Sequence, residues 1–430
     1  MKKSTRKMQS SKLQIANKCW AALGSQPVLQ ANPAAALPLL SMIGQAQLSI
    51  EDMLGRLSRQ FVEQLLMMSA ESVAGPKHPG RQTSEVRWHG DQGGLINLGT
   101  SKLKITRPRL RSPVGEVALP GYAGLAGNSE LSRRIADVLA CSVSTRKYTR
   151  VMYRCADEMG ISRSAVSRHF VKDSAQALAK LMSRDLSKTD LVAIYVDGII
   201  VARHHVIAAI GVDPSGTKYM LGLVSGSSEN AKVVKDLLGS LAERGVDLNV
   251  ARLWVIDGSK ALRSAIDQLC GDAAHVQRCR IHKIRNVTER LPKAKAYQTR
   301  WIMVQALKGD ADAGIQKLKA HAKHLKAQHP DAAASLLEGL EELFTINGLG
   351  VTGELARCLA TTNIIESPNS VVRRVSGRVT RYRDAQMALR WVAAGFLEAE
   401  KAFRKLRGHK HITALIRVMR PVPAQLKKAA

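Results

Sequence analysis

The chain has 430 residues, and its 65 Lys and Arg residues against 35 Asp and Glu residues give a formal net charge of +30. Its 45% hydrophobic residues are enough to bury the cores of two or three domains, which excludes disorder for most of the length. The charge indicates a polyanionic partner, for which nucleic acid is the first candidate and a membrane surface the alternative.

The cysteine pattern and the lack of a long apolar run predict where in the cell the protein is located. The six cysteines are scattered and form no framework of the secreted disulfide type. The first residues lack the apolar core of a secretory signal, and no run reaches the roughly 20 apolar residues of a membrane helix. We therefore expect a reduced, soluble, cytoplasmic protein without a membrane partner.

The N-terminal part predicts helices and then a small strand unit. Residues 1–79 contain apolar positions at helical spacing, whereas residues 80–125 contain short alternating runs separated by Gly and Pro. Arg107, Arg109 and Arg111 alternate, so an extended segment places them on one side. Such a basic stripe suits phosphate contacts, and a charged, solvated edge strand is the equally weighted alternative.

Residues 126–187 predict a helical region that contains a helix-turn-helix pattern between 156 and 170. Gly160 suits the tight turn, and Val166 is expected to face inward on the second helix. In that arrangement the polar residues of the second helix face a DNA major groove. An ordinary αα-hairpin uses the same glycine and is the alternative. The DNA-binding candidates here are Arg163, Ser164 and Arg168.

The remaining chain predicts an α/β domain in two parts. Residues 188–292 contain three sequential strands and then strands that alternate with helices. Residues 293–358 have helical periodicity throughout, so we interpret them as an all-helical insertion. Trp301 is expected to pack within it, and stacking on a displaced base is the alternative. Residues 359–409 form the second part, and 410–430 form a basic tail.

Two aspartates follow apolar strands of this predicted domain. Asp197 ends the run LVAIYVD and Asp257 ends RLWVID, and each is followed by a glycine that leaves room beside the carboxylate. If the two strands are parallel neighbours, both carboxylates emerge at the carboxyl edge of the sheet. Two carboxylates there suit Mg²⁺ or Mn²⁺. The alternative, that each merely caps the following helix, stays open on these residues alone.

Four motifs contain these and further polar residues. They are Tyr195-Val-Asp197-Gly, Val255-Ile-Asp257-Gly-Ser-Lys-Ala-Leu, Gln277-Arg-Cys279-Arg-Ile-His282-Lys-Ile-Arg-Asn and Thr361-Thr-Asn-Ile-Ile-Glu366-Ser-Pro-Asn. In this order they resemble the bacterial Mutator-type insertion-sequence transposases over roughly residues 80–400. The resemblance implies a DDE enzyme with an α/β fold, namely an RNase H-like mixed sheet interrupted by the helical insertion. We expect a mostly helical DNA-binding region before it.

The resemblance also implies the roles of individual residues. Asp197, Asp257 and Glu366 correspond to the catalytic, metal-binding triad, with Mg²⁺ or Mn²⁺ as the cofactor. Cys279 and His282 match the Cys-x₂-His signature of the family. A closed zinc site needs four ligands and no second pair stands at a suitable spacing, so we expect both side chains to brace the active site. A satisfied core histidine is the alternative.

Pro368 departs from the family pattern just after the predicted catalytic glutamate. Proline lacks an N–H and is tolerated only in the first turn of a helix. We therefore expect Glu366 at the very start of its helix, with Thr361 or Thr362 only loosely attached to it.

Basic residues surround these motifs and predict a DNA-facing surface. Arginines at three- to four-residue spacing beyond Glu366 form one positive side, for which a generic solvated basic face is the alternative. The DNA-binding candidates here are Arg285 before the insertion and Arg373, Arg374 and Arg378 after Glu366.

The expected function is that of a transposase acting on double-stranded DNA. It would bind the terminal inverted repeats of a mobile element, cleave them and join them to target DNA, as a homodimer or higher oligomer associated with the bacterial nucleoid. The alternatives are an inactive, transposase-derived DNA-binding protein and a nuclease that cuts without joining.

Overall fold

A computed structural model of the protein describes residues 53, 56–78, 85–98, 101–127, 130–141, 143, 148, 162–226, 231–377 and 379–421. The chain divides into two units. The first comprises Met1–Arg134 and Arg146–Ala165, and the second comprises Ile135–Thr145 and Val166–Ala430.

The described part of the first unit packs a helix against an antiparallel sheet of strand order β1–β2–β3. Its elements are α1 (56–74), β1 (Arg87–Leu98), β2 (Ser101–Ser112), β3 (Gly115–Val117) and α2 (Pro120–Ala126). The strands are longer than the short runs predicted. Strand β1 continues through Gly93 and Gly94 because β2 pairs with it along this stretch.

Of the alternating arginines of β2, Arg107 and Arg109 are partly buried and Arg111 is exposed. The Arg107 guanidinium lies 4.0 Å from the centre of the Tyr122 ring, and Arg109 pairs with Glu116 at 3.3 Å. Strand β2 is also the central strand of the sheet and not an edge strand. Two of the three arginines are therefore engaged within their own unit.

The predicted helix-turn-helix is described only in its second half. Its first helix and Gly160 lie outside the described residues, and α3 (Glu130–Ala140) precedes them. Helix α4 (Arg163–Met182) corresponds to the predicted second helix, and Val166 is buried on it as expected. The DNA-binding candidates Arg163, Ser164 and Arg168 are exposed on this helix.

Within the described residues, the second unit contains a five-stranded mixed sheet of order β6–β5–β4–β7–β8. The strands are β4 (Ala193–Val201), β5 (His204–Val212), β6 (Lys218–Gly226), β7 (Arg252–Ile256) and β8 (Ala274–Arg278). Strands β4 to β6 form an antiparallel meander, whereas β4, β7 and β8 are parallel. Helices α5 (Ala231–Glu243) and α6 (Lys260–Cys270) cover one face of this sheet.

The chain from 280 to 359 is helical. Its helices are α7 (Arg280–Thr288), α8 (Lys293–Ala306), α9 (Ala311–Lys326), α10 (Pro330–Leu337), α11 (Thr345–Gly348) and α12 (Gly353–Leu359). Met303, Leu318 and Phe344 belong to a core of their own. Trp301, which is expected to pack within this segment, is instead 58% exposed, together with Tyr297 one turn earlier on the same side of α8.

The last helices cover the other face of the sheet. They are α13 (Asn363–Ser376), α14 (Ala385–Glu400) and α15 (Ile412–Met419), and their apolar residues join those of β4 and β5 in one core. Helix α15 lies in the segment predicted to be a basic tail, and its Ile412 and Leu415 are buried in this core. None of the helices within the described ranges is long and apolar enough to cross a membrane.

Glu400 at the end of α14 forms hydrogen bonds with β6, an edge strand of the sheet, and with Arg184. Its two carboxylate oxygens accept hydrogen bonds from Arg184 at 3.0 and 3.2 Å, and one of them also accepts from the Met220 N–H at 2.7 Å. We expect Glu400→Ala to lower the free energy of unfolding by about 2–3 kcal/mol, because it leaves partly buried donors unpaired. Urea denaturation followed by circular dichroism measures this effect.

Glu398→Ala is the matched control on the same helix, since the one ion pair of Glu398 within the described residues is with the exposed Lys401 at 2.7 Å. Its expected effect is below about 1 kcal/mol. Equal losses in the two variants would show that the Glu400 bonds contribute no more than a surface ion pair.

Candidate active site

Asp197 lies inside β4, not at its end as predicted. Strand β4 continues to Val201 because it pairs with β5 over this stretch, whereas its parallel pairing with β7 stops at Val196 opposite Ile256. Asp257 follows Ile256 directly. Neighbouring strands are about 4.8 Å apart, so the two aspartates start from adjacent backbone positions at the carboxyl end of the parallel pair.

The alternation of β4 decides which face the aspartate occupies. Asp197 shares a face with Tyr195 and Ile199, whose side chains pack in one core with Ile365 and Val372 of α13. Glu366 is the fourth residue of α13, beside Ile365. The packing of α13 on this face therefore brings a glutamate from the far side of the helical segment toward the two aspartates.

Thr362 holds Glu366 at the start of α13. Its hydroxyl donates to Glu366 Oε1 at 2.6 Å, and its carbonyl accepts from the N–H groups of Ile365 and Glu366 at 2.9 Å each. The expectation that Thr362 is only loosely attached to the helix is therefore wrong. The hydroxyl orients the carboxylate, and no sequence signal beyond a threonine before the helix indicated it.

Pro368 is the sixth residue of α13 and lies in its second turn, not in the first. Glu366 is in the first turn, as expected. An interior proline costs about 3 kcal/mol. The burial of Ile365 and Val372 against the sheet offsets this cost, which is why the helix begins earlier than the proline alone suggests.

Asp257 does not cap the helix that follows it. Ser259 is the N-cap of α6 and accepts from the Leu262 N–H at 3.5 Å. Asp257 Oδ1 accepts from the Ser259 N–H at 2.8 Å, which fixes the carboxylate and leaves Oδ2 for another partner. The side chain also lines a small cleft with Gly198 and Ile200.

The three carboxylates interact electrostatically. Burial raises the pKa of Asp197 to about 7, and the charges of Asp257 and Glu366 act in the same direction, while His282 opposes them. Asp197 is only 8% exposed. A bound cation would remove this repulsion, so the oxygen donors and their mutual repulsion fit a divalent metal ion.

Cys279 and His282 lie beside Glu366. The buried Cys279 Sγ accepts from the Thr362 N–H at 3.4 Å. His282 Nδ1 lies 3.3 Å from Thr362 Oγ1 and 3.7 Å from Glu366 Oε1. Both residues thus contact the segment that positions Glu366, and their bracing role stays a prediction.

Cys279 and His282 both have shifted pKa values. A hydrogen bond with Cys279 raises the pKa of His282 to about 9, against the effect of burial and with help from the negative charges of Cys279, Glu366 and Asp197. Burial raises the pKa of the Cys279 thiol, but hydrogen bonds from His282 and Thr362 outweigh it and hold that pKa below its usual value.

Arg278 fills the space that Gly258 was expected to leave open beside the Asp257 carboxylate. Gly258 has φ +103°, and a Cβ there would lie 2.1 Å from Arg278 Nε. Arg278 is buried and donates to the Glu338 carbonyl at 2.8 Å. The arginine therefore links the turn after Asp257 to the helical segment, a role that sequence reasoning missed.

Comparison with known proteins identifies the family. A family model described as "Transposase, Mutator family" matches residues 36–405. The chain belongs to the Mutator family of transposases. A transposase for insertion sequence element IS6120 from Mycolicibacterium smegmatis is 29% identical over 268 residues, which are 60% of this chain and 80% of that protein.

Two further relatives cover more of the chain. The transposase for IS256 in transposon Tn4001 from Staphylococcus aureus is 26% identical over 70% of this chain and 77% of its own length. The transposase for ISRM5 from Rhizobium meliloti is 24% identical over 82% of this chain and 89% of its own length.

The basic residues of this Mutator transposase divide into two groups. Arg280 and Lys283 of α7 donate to the carbonyls of Leu343 and Glu338, so these two basic side chains are engaged within the protein. The exposed candidates are Arg285 of α7 and Arg373 and Arg374 of α13. Arg378 lies outside the described residues.

Proposed function

We propose that this transposase is a DDE-type enzyme in which Asp197, Asp257 and Glu366 are the catalytic, metal-binding residues. The observation that carries the proposal is that three carboxylates interact near the carboxyl end of the parallel pair β4 and β7. They come from β4, from the residue after β7 and from the first turn of α13. An antiparallel meander followed by two parallel strands is also the arrangement expected of an RNase H-like domain, with the helical segment between Asp257 and Glu366 as its insertion.

The donor set suits Mg²⁺ or Mn²⁺, which prefer carboxylate oxygens. When bound, such ions stabilise the charge on the attacking and leaving oxygens of a phosphodiester. The chain itself holds the donors in place. Ser259 fixes the Asp257 carboxylate, and Thr362 fixes that of Glu366. Asp197 is held by its strand, which pairs on both sides at Val196.

The proposed reaction has two steps at the ends of a mobile element. Water first hydrolyses a phosphodiester bond at the terminal inverted repeat and releases a 3′-OH. That 3′-OH then attacks a phosphodiester of target DNA, without a covalent protein intermediate. Positioning of the reacting groups and electrostatic stabilisation account for catalysis.

Exposed basic side chains would hold the DNA phosphates. Arg163 and Arg168 on α4, Arg285 on α7 and Arg373 and Arg374 on α13 are the candidates, as is Ser164 for a base contact. Because two element ends must be held together, we expect a homodimer or a larger assembly on DNA.

Removal of the metal tests the proposed chemistry. The full chain, incubated with DNA that carries the element ends, is expected to cleave and join strands with Mg²⁺ and to stop when EDTA is added. Gel separation of nicked and joined products measures this. Binding without cleavage in Mg²⁺ and in Mn²⁺ would favour an inactive DNA-binding protein, and cleavage without joining would favour a nuclease.

Thr362→Val tests whether orientation of Glu366 matters. The change removes the hydroxyl that donates to Glu366 at 2.6 Å and keeps the side-chain size. A lost hydrogen bond of about 1.4 kcal/mol in the transition state lowers the rate about tenfold. Single-turnover cleavage rates measure it, with Thr361→Val as the neighbouring control. Equal rates for Thr362→Val and the unmutated chain would contradict the role.

A further inference from the structure

Three donor atoms of different kinds meet beside the carboxylate cluster. They belong to Cys279, His282 and Glu366, and all lie within 4.8 Å of one another. The cysteine is buried, whereas the side chains of His282 and Glu366 are 24% and 33% exposed. The cluster is therefore buried at Cys279 and accessible to solvent at His282 and Glu366.

The surrounding backbone holds these donors in place. Cys279 is the N-cap of α7, and His282 follows in the first turn, so the two side chains lie on one side of that helix. Glu366 comes from the first turn of α13. The Arg280 N–H donates to the Ala360 carbonyl at 3.0 Å, and the Thr362 N–H donates to Cys279 Sγ, so the two helix starts are joined.

The donor types differ from those of the proposed Mg²⁺ site. A thiolate, an imidazole and a carboxylate form a set that favours Zn²⁺ over Mg²⁺, because Mg²⁺ takes oxygen ligands. Three protein ligands with an open fourth position are the pattern of zinc sites that are not purely structural. In sequence the Cys-x₂-His pair has no third ligand nearby, and only the fold brings Glu366 to it.

We propose that Cys279, His282 and Glu366 form an inhibitory site for Zn²⁺ or another thiophilic divalent cation. Glu366 belongs to this site and to the proposed catalytic site. Zinc bound to its carboxylate competes with the catalytic metal for the same ligand and suppresses cleavage. Binding of zinc is independent of the proposed function, whereas the inhibitory effect rests on it.

Cobalt binding tests the site without an activity measurement. The full chain, purified without metal, is titrated with Co²⁺, which substitutes for Zn²⁺ and is visible by absorption. The unmutated chain is expected to show a thiolate-to-cobalt charge-transfer band that added Zn²⁺ removes. Cys279→Ser is expected to abolish the band. Cys270→Ser, which changes another buried cysteine, is expected to retain it.

Glu366→Gln keeps the size of the side chain and removes its charge, so it tests the third ligand if Cys279→Ser does not fold. We expect Co²⁺ affinity to fall about tenfold or more in this variant. Absence of the band in the unmutated chain overturns the proposal. So does a band that persists in Cys279→Ser, or a Co²⁺ affinity that Glu366→Gln leaves unchanged.

The inhibitory part is tested by cleavage in Mg²⁺ with and without Zn²⁺. The ratio of the two rates is expected to fall at least about tenfold in the unmutated chain and to stay near one in Cys279→Ser. A ratio near one in the unmutated chain overturns the inhibition. A chain that binds Co²⁺ but never cleaves DNA contradicts the proposed function and supports the metal site.

Discussion

Replacement of Asp197 by Asn, Asp257 by Asn or Glu366 by Gln is expected to abolish metal-dependent strand cleavage, with a loss of at least about 10³-fold in each case. Each change keeps the size of the side chain and removes one negative charge from the cluster at the edge of the sheet. The reduced charge weakens metal binding, and the geometry of the strands and of α13 is retained.

Strand cleavage and binding must be measured separately on the same DNA. We expect the three variants to bind element ends as the unmutated chain does, because the carboxylates repel phosphates and do not hold them. Asp272→Asn, an exposed residue just after α6, is the control and is expected to cleave normally. Full cleavage by any one of the three variants would remove that residue from the proposed triad.

Gly258→Ala is expected to have the second largest effect. The new methyl group would lie 2.1 Å from Arg278 Nε, and the residue has φ +103°, where side chains other than hydrogen are strained. Arg278 is buried and donates to the Glu338 carbonyl, so we expect the turn to shift instead of the arginine, and Asp257 is the residue directly before it. A displacement of about 1 Å at a reacting group costs about 10²-fold in rate, so we expect a loss of that order.

Gly271→Ala is a matched control at the other end of α6. Gly271 also has positive φ, at +48°, but a Cβ there meets nothing within 4 Å. This variant is expected to lose about 1 kcal/mol of stability and no cleavage activity. Circular dichroism melting separates loss of fold from loss of rate. If both variants cleave equally, contact with Arg278 has no part in positioning Asp257.

A double variant identifies the cause of the Gly258 effect. Arg278→Ala removes the atoms with which the new methyl group collides. If the collision is responsible, Gly258→Ala costs less in the Arg278→Ala background than in the unmutated chain. Independent, additive losses would attribute the effect to the backbone conformation of Gly258 alone.

Local sequence patterns predicted the elements of the second unit closely. Three sequential strands and then strands that alternate with helices are predicted over residues 188–292, and the structure has β4, β5 and β6 followed by α5, β7, α6 and β8. Apolar runs bounded by turn residues carry this information. The same patterns placed Asp257 directly after its strand, because the strand and its end are local features.

Sequence patterns failed where a distant partner decides the outcome. Strand β4 runs past Asp197 because β5 supplies hydrogen bonds there. Pro368 lies inside α13 because packing on the sheet offsets the lost hydrogen bond. Trp301 is exposed although it was expected to pack within the helical insertion, since a helical pattern does not say which side of a helix has a partner.

The sequence by itself determined the basic charge, the order of strands and helices, and the motifs that carry the candidate carboxylates, because each depends on residues that are neighbours in the chain. The tertiary structure decided which of these residues meet. In the folded chain Glu366 lies with Cys279 and His282, and Arg278 fills the space beside Asp257. Arg280 and Lys283 donate to carbonyls within the protein. These arrangements depend on how α13 and the helical segment pack on the sheet, and contacts between such distant segments leave no local pattern in the sequence.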